Sequence, residues 1–269
     1  MEILGSIGKG FGIAAKSAGL IIVLFIFNLL GSIASLPFAT VAPGATATPQ
    51  LTAGAVVFSI LFILISIFVQ GGTLGIVRDV IKEGKMKLAS MAQYGVKYYL
   101  RLLGLGILIV LIIAIVALAA GLLIAVTAPL NNTAVTTIAI VIAVAIAIAV
   151  GLLFFLPFTL SPYAIVCDEA GVVDSMRKAL DIARKPFIRV LMLLGLVLLL
   201  VAIALIVGFV VGFVVGLVTA FVPAALGRAL MMITTSAING YLGVVITSSF
   251  MVFYLSLGKK EPAAVTRKI

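Results

Sequence analysis

Six stretches of nearly unbroken apolar residues, at about 18–36, 53–76, 102–126, 138–160, 190–215 and 233–256, decide what this chain can become. Each approaches or exceeds the length of about 20 residues that carries a helix across about 30 Å of hydrocarbon. Within lipid a backbone has no water to bond, so a segment of this kind must satisfy its own polar groups as a helix. With 64% of residues apolar and 10% charged, little is left for a separate soluble module. The pattern predicts an all-α polytopic membrane protein: residues 1–258 form one transmembrane domain of six helices, and residues 259–269 a short basic tail. An even number of spans returns both termini to one side.

Charge decides which side. Seventeen of the 18 Lys and Arg residues fall at the N-terminus, in two polar islands or after Gly258, and Arg228 alone falls on the opposite face. Basic bias in short loops sets orientation, so both termini are expected in the cytoplasm. The eight acids share that side, leaving it a net charge of +9. Such a surface attracts anionic lipid headgroups at roughly 1 kcal/mol per basic residue. Nucleic acid is the weaker partner for this charge, because the bases follow membrane-hugging segments and form no basic patch on a soluble fold.

The two islands resemble each other. Residues 76–101 (IVRDVIKEGKMKLASMAQYGVKYYLR) and 165–189 (IVCDEAGVVDSMRKALDIARKPFIR) both open with Ile-Val-x-Asp, close on Arg and lead into an apolar run. Phe11-Gly-Ile-Ala-Ala-Lys16 echoes the ends of both. The echo predicts three hairpins, each preceded by a cytoplasmic interfacial amphipathic helix and related by a pseudo-threefold repeat about an axis along the membrane normal. The alternative is that positive-inside bias alone places bases before odd-numbered spans.

Residues 1–17 carry Ile3, Leu4, Ile7, Phe11 and Ala15 at helical spacing, with Lys9 and Lys16 elsewhere on the wheel, as in an interfacial helix. A cleaved signal peptide is the competing reading. Residues 37–52 form an uncharged loop, and Asn131-Asn132-Thr133 is a glycosylation sequon in a loop too short to favour it. Gly71 and Gly72 weaken the inner end of the second span, and Pro157 and Pro162 that of the fourth, so helix interruptions are expected at matching depth. Interruptions in corresponding positions point to binding sites in transporters; a simple bend into the following helix is the plainer reading. Tyr94, Tyr98 and Tyr99 beside basic residues read as headgroup-level anchors, with an RNA-stacking surface as the livelier alternative.

The Ile/Ala alternation of residues 138–150 would suit a strand in water, but membrane context requires a helix. Ala139, Ala143, Ala147 and Gly151 then form one small-residue stripe. Gly208, Gly212 and Gly216 form a second, which predicts close helix packing, either within the chain or between subunits. Asp168 and Glu169 are expected to cap the following helix, where Asp174–Lys178 and Asp181–Lys185 stand at ion-pair spacing. Metal binding by Asp168, Glu169 and Asp174 is the sharper reading, but the chain contains no His. No cofactor is expected.

The three-hairpin plan, the Pro-interrupted fourth span leading into Ile165-Val-x-Asp-Glu169, and the Asp174-Ser-x-x-x-Ala-Leu-x-x-Ala-Arg184 helix resemble a set of uncharacterised six-helix prokaryotic membrane proteins. They are similar to the membrane domain attached to some glycerophosphodiester phosphodiesterases, whose catalytic domain is absent here. The resemblance implies a fold and the cell membrane of a prokaryote, and little about activity.

Catalysis is not expected. No acid, base or His falls within an expected span, and Cys167 is solitary. Ion-coupled transport is disfavoured for the same reason. The leading expectation is a non-catalytic protein that organises anionic lipid or partner membrane proteins, homo-oligomers included. It would use a cytoplasmic rim of Lys9, Lys16, Lys97, Arg101, Arg184, Lys185 and Arg189. The alternative is a passive channel or transporter of a lipid-like or small uncharged substrate, with a vestibule at Gln70, Gly71, Thr73, Pro157, Ser161, Pro162, Ser248 and Ser249.

Overall fold

The computed structural model describes residues 2–39, 49–127, 129, 133–183, 188–219, 221 and 223–258. The described residues are helical and contain no strand. Eight α-helices follow in order: α1 (Glu2–Lys16), α2 (Ala18–Ala39), α3 (Pro49–Glu83), α4 (Met91–Thr127), α5 (Thr133–Cys167), α6 (Val172–Ala183), α7 (Ile188–Thr219) and α8 (Ala224–Gly258). A 3-10 turn at Leu88–Ser90 leads into α4. Six segments are long and apolar enough to cross a membrane: Ala18–Leu36, Ala53–Glu83, Leu88–Thr127, Ala134–Gly151, Leu198–Leu217 and Ala225–Leu257. The Ile/Ala alternation folds inside α5, as backbone satisfaction in lipid requires.

The helices form two compact units. One comprises Met1–Tyr99 with Ile188–Ile269, the other Leu100–Phe187. In the first unit α8 is the hub, packed by α1, α2, α7 and α3. Its glycines and those of its neighbours admit the contacts. A Cβ on Gly240 would stand 3.0 Å from the backbone nitrogen of Phe25 in α2, and one on Gly10 of α1 would stand 3.0 Å from the carbonyl oxygen of Val245. The end of α8 is consequently well buried, with Val244, Val245, Met251 and Phe253 almost wholly enclosed. Phe27 of α2 stacks on Phe62 of α3 with ring centroids 5.1 Å apart.

In the second unit α6 lies on the end of α5. Leu160, Ala164, Ile165 and Val166 of α5 are buried, as are Met176 and Ala179 of α6. Farther along, most side chains of residues 107–126 and 138–148 are exposed. Lipid tails are as apolar as the side chains, so these lengths need no protein partner. Among the described residues α4 and α5 do not make the close pairing that α2 makes with α3 or α7 with α8.

Three expectations are corrected. First, α3 is not interrupted at Gly71 and Gly72 but continues to Glu83. Packing outweighs propensity here: a Cβ on Gly72 would stand 2.7 Å from Met91, Gly75 likewise admits the Tyr94 ring, and Gly95 of α4 admits Phe68. Second, α5 passes through Pro157 and Pro162 without a break. A proline removes only one donor, and neighbouring helices and local adjustment absorb that loss in apolar surroundings. Third, no separate interfacial helix precedes the third span. Residues 91–101 are the first turns of α4 itself, docked against the end of α3. Among the described residues the separate short α-helices are α1 and α6.

Candidate functional site

The last turns of α3 and the first turns of α4 hold a polar cluster among apolar neighbours. Gly84, at φ +71°, ends α3 with its N–H donating to the Val80 carbonyl oxygen at 3.0 Å. The left-handed conformation costs glycine nothing, so the chain can fold straight back into α4. This turn brings Tyr94 and Tyr98, one helical turn apart, over Arg78 and Asp79. The Arg78 guanidinium donates to the Asp79 carboxylate through Nη2 at 3.2 Å and to the Tyr98 hydroxyl through Nη1 at 2.8 Å. The Tyr94 hydroxyl donates to the other Asp79 oxygen. Arg78 Cζ also stands 5.2 Å from the Tyr94 ring centroid, and Lys97 Nζ 5.4 Å from that of Tyr98.

Asp79 is only 5% exposed, and both its carboxylate oxygens are engaged. A buried charge must be paired and hydrogen-bonded, and this one is. With both oxygens engaged, the arrangement ties α3 to α4. Nearby, Lys87 donates to Glu83 at 3.0 Å, and that bond holds the exposed ammonium above its ordinary pKa. The sequence reading missed the cluster because it ended the second span at residue 76. The signal was present in the Ile-Val-Arg-Asp opening followed by two tyrosines four apart.

The rim residues divide. On α1, Ser6, Ile7, Gly10 and Ala14 form a buried face against α8, Leu4 and Ala15 an exposed apolar face, and Lys9 and Lys16 an exposed basic face. Lys97 is exposed on α4. Arg101 is half-buried and donates to the carbonyl oxygen of Glu169 at 2.7 Å. Arg184 and Lys185 lie outside the described residues, as does the side chain of Arg189.

Glu169 adopts a left-handed conformation, φ 53°, beyond the end of α5, and Asp168 accepts from Lys178 at 3.0 Å. Arg101, donating to the Glu169 carbonyl oxygen, braces the chain between α5 and α6. Lys178 pairs with Asp168 where Asp174 was expected. The metal reading gains nothing from this arrangement, since Asp168 already has a cation.

Of the residues grouped as a vestibule, Gly71, Thr73, Ser248 and Ser249 are buried within the first unit and Gln70 is exposed there. In the second unit Ser161 is buried and Pro162 half-buried, while the Pro157 side chain lies outside the described residues. Ser249 donates to the Val245 carbonyl oxygen at 2.7 Å. The Thr73, Ser161 and Ser248 hydroxyls have no hydrogen-bond partner among the described residues. A Cβ on Gly208, Gly212 or Gly216 would meet no heavy atom within 4 Å. Among the described residues the close backbone approach expected at that stripe is not made; glycines that do admit close neighbours include Gly10, Gly19, Gly31, Gly72, Gly75, Gly95 and Gly240.

No curated protein and no solved structure matches the chain. A family model described as a domain of unknown function, DUF7847, matches residues 1–257 and carries no link to the membrane domains of glycerophosphodiester phosphodiesterases. Because that match spans nearly the whole of the six-helix chain, the protein belongs to the DUF7847 family.

Proposed function

We propose that this is a non-catalytic integral protein of a prokaryotic cell membrane whose basic cytoplasmic rim binds anionic lipid headgroups. Through them it organises lipid or partner membrane proteins. The observation that carries the reading is the one-sided charge: 17 of 18 basic residues fall on segments assigned to one face. Lys9, Lys16 and Lys97 are exposed there, each close to the start of a candidate span. Three such residues contribute roughly 3 kcal/mol toward an anionic surface. The Asp79 carboxylate is engaged by Arg78 and Tyr94, in keeping with a structural clamp.

Three local junctions support the threefold plan. α1 packs on α8, the first turns of α4 on α3, and α6 on α5, so each docks on an even-numbered span. The likeness to phosphodiesterase membrane domains rests on short motifs and adds no reaction. The second reading, a passive pathway for a small uncharged or lipid-like substrate, draws on the buried, unpartnered hydroxyls of Thr73, Ser161 and Ser248.

Electron paramagnetic resonance of the reconstituted protein with spin-labelled phosphatidylglycerol or phosphatidylcholine tests the leading reading. The motionally restricted fraction should be larger for phosphatidylglycerol. The difference should shrink in high salt, where screening shortens to about 3 Å at 1 M, and in a Lys9→Gln, Lys16→Gln, Lys97→Gln variant. Equal fractions for the two lipids would refute the rim.

A further inference from the structure

A groove of about 310 Å³ runs between α1, α7 and α8 within the first unit. Phe11 forms one wall, Ile203 and Val207 of α7 a second, and Ala237 and Tyr241 of α8 the floor. Its exposed lining is entirely apolar. Ile203 and Val207 belong to the candidate span Leu198–Leu217, and Ala237 and Tyr241 to Ala225–Leu257, so two of its walls are built from segments long and apolar enough to cross a membrane. Its upper wall belongs to α1, which joins α2 through Ser17 just where the span Ala18–Leu36 begins.

We infer that this groove holds one acyl chain of an anionic phospholipid whose headgroup sits against Lys9 and Lys16. The inference rests on the anionic-rim reading and deepens it from a diffuse attraction to one seated molecule. The three faces of α1 argue for that occupant. Phe11 borders the face buried on α8 and adjoins the exposed apolar face of Leu4, which is 76% exposed, so the groove opens toward lipid. Lys9 and Lys16 are exposed on the remaining face of the same helix, and lysines on an interfacial helix reach toward headgroups while its apolar residues meet the chains. An apolar slot under a doubly basic helix complements a molecule with an anionic head and a hydrocarbon tail. A zwitterionic lipid fills the slot equally well but gains less from the lysines.

Phosphatidylglycerol bearing a mid-chain photoactivatable group, bound to the full-length protein, tests the assignment without altering the chain. Crosslinks are expected on peptides containing Ile203, Val207 or Ala237. Native mass spectrometry of the same protein is expected to retain one phosphatidylglycerol. Ala237→Phe or Val207→Phe, each filling the slot from a different wall, should lower that retention about tenfold, and Lys9→Gln with Lys16→Gln should weaken phosphatidylglycerol but not phosphatidylcholine. Crosslinks confined to other helices overturn the groove while leaving the spin-label result, and hence the rim, intact. Equal crosslinking by both lipids, insensitive to the lysine changes, overturns the headgroup assignment. A dimer that is lost on Ala237→Phe, with no lipid retained, shows that a second copy fills the slot and likewise overturns the proposal.

Discussion

At the scale of single residues, Asp79 distinguishes this protein from a plain bundle of apolar helices. Asp79→Asn removes the carboxylate that pairs with Arg78, whose side chain is 13% exposed, and leaves a largely buried guanidinium without its counter-charge. Breaking a buried pair in this way should cost about 3 kcal/mol. Tyr94→Phe, which deletes one hydroxyl donor, should cost about 1 kcal/mol. Thermal melting in detergent micelles ranks the two, and an Asp79→Asn protein that melts with its parent would show that the cluster is no clamp. The partners were visible separately in the sequence, Asp79 in the repeated Ile-Val-x-Asp and the tyrosines as aromatic anchors. Their meeting was not, because it depends on the turn at Gly84 and on α3 running two turns past residue 76, where charged residues no longer look like a span.

At the scale of elements, the number, type and approximate bounds of the spans could be read because about 20 apolar residues in lipid have few alternatives to a helix. Which faces meet could not. A helix that is apolar all round, such as α7, carries no polar stripe to separate a lipid-facing side from a packed one. The three regularly spaced glycines of α7 therefore looked like the packing seam, whereas the seam lies on α8 at Gly240 and on α1 at Gly10. Interruptions at Gly71, Gly72, Pro157 and Pro162 were misjudged for a related reason, since propensities measured in water count a backbone group's loss but not the neighbour that the glycine admits. Gly240→Leu should force α2 away from α8 and destabilise the protein by about 1–3 kcal/mol, while Gly212→Leu, meeting nothing, should melt with the parent. Loss of stability in Gly212→Leu alone would return the seam to α7, or place it between subunits.

At the scale of the whole molecule, each unit buries a limited part of its helices, chiefly residues 242–257 of α8 in one and residues 160–166 of α5 in the other. The remaining lengths of α4, α5 and α7 present mostly exposed apolar side chains. Sidedness underlies both the rim and the acyl-chain groove, and thiol accessibility in intact cells measures it most directly. With Cys167→Ala as background, single cysteines at Thr46, Thr133 and Arg228 should react with an impermeant maleimide added outside, and cysteines at Lys9 and Lys97 should react only after the cells are permeabilised. Labelling of Lys9→Cys or Lys97→Cys from outside, or protection of Arg228→Cys in intact cells, would contradict the account.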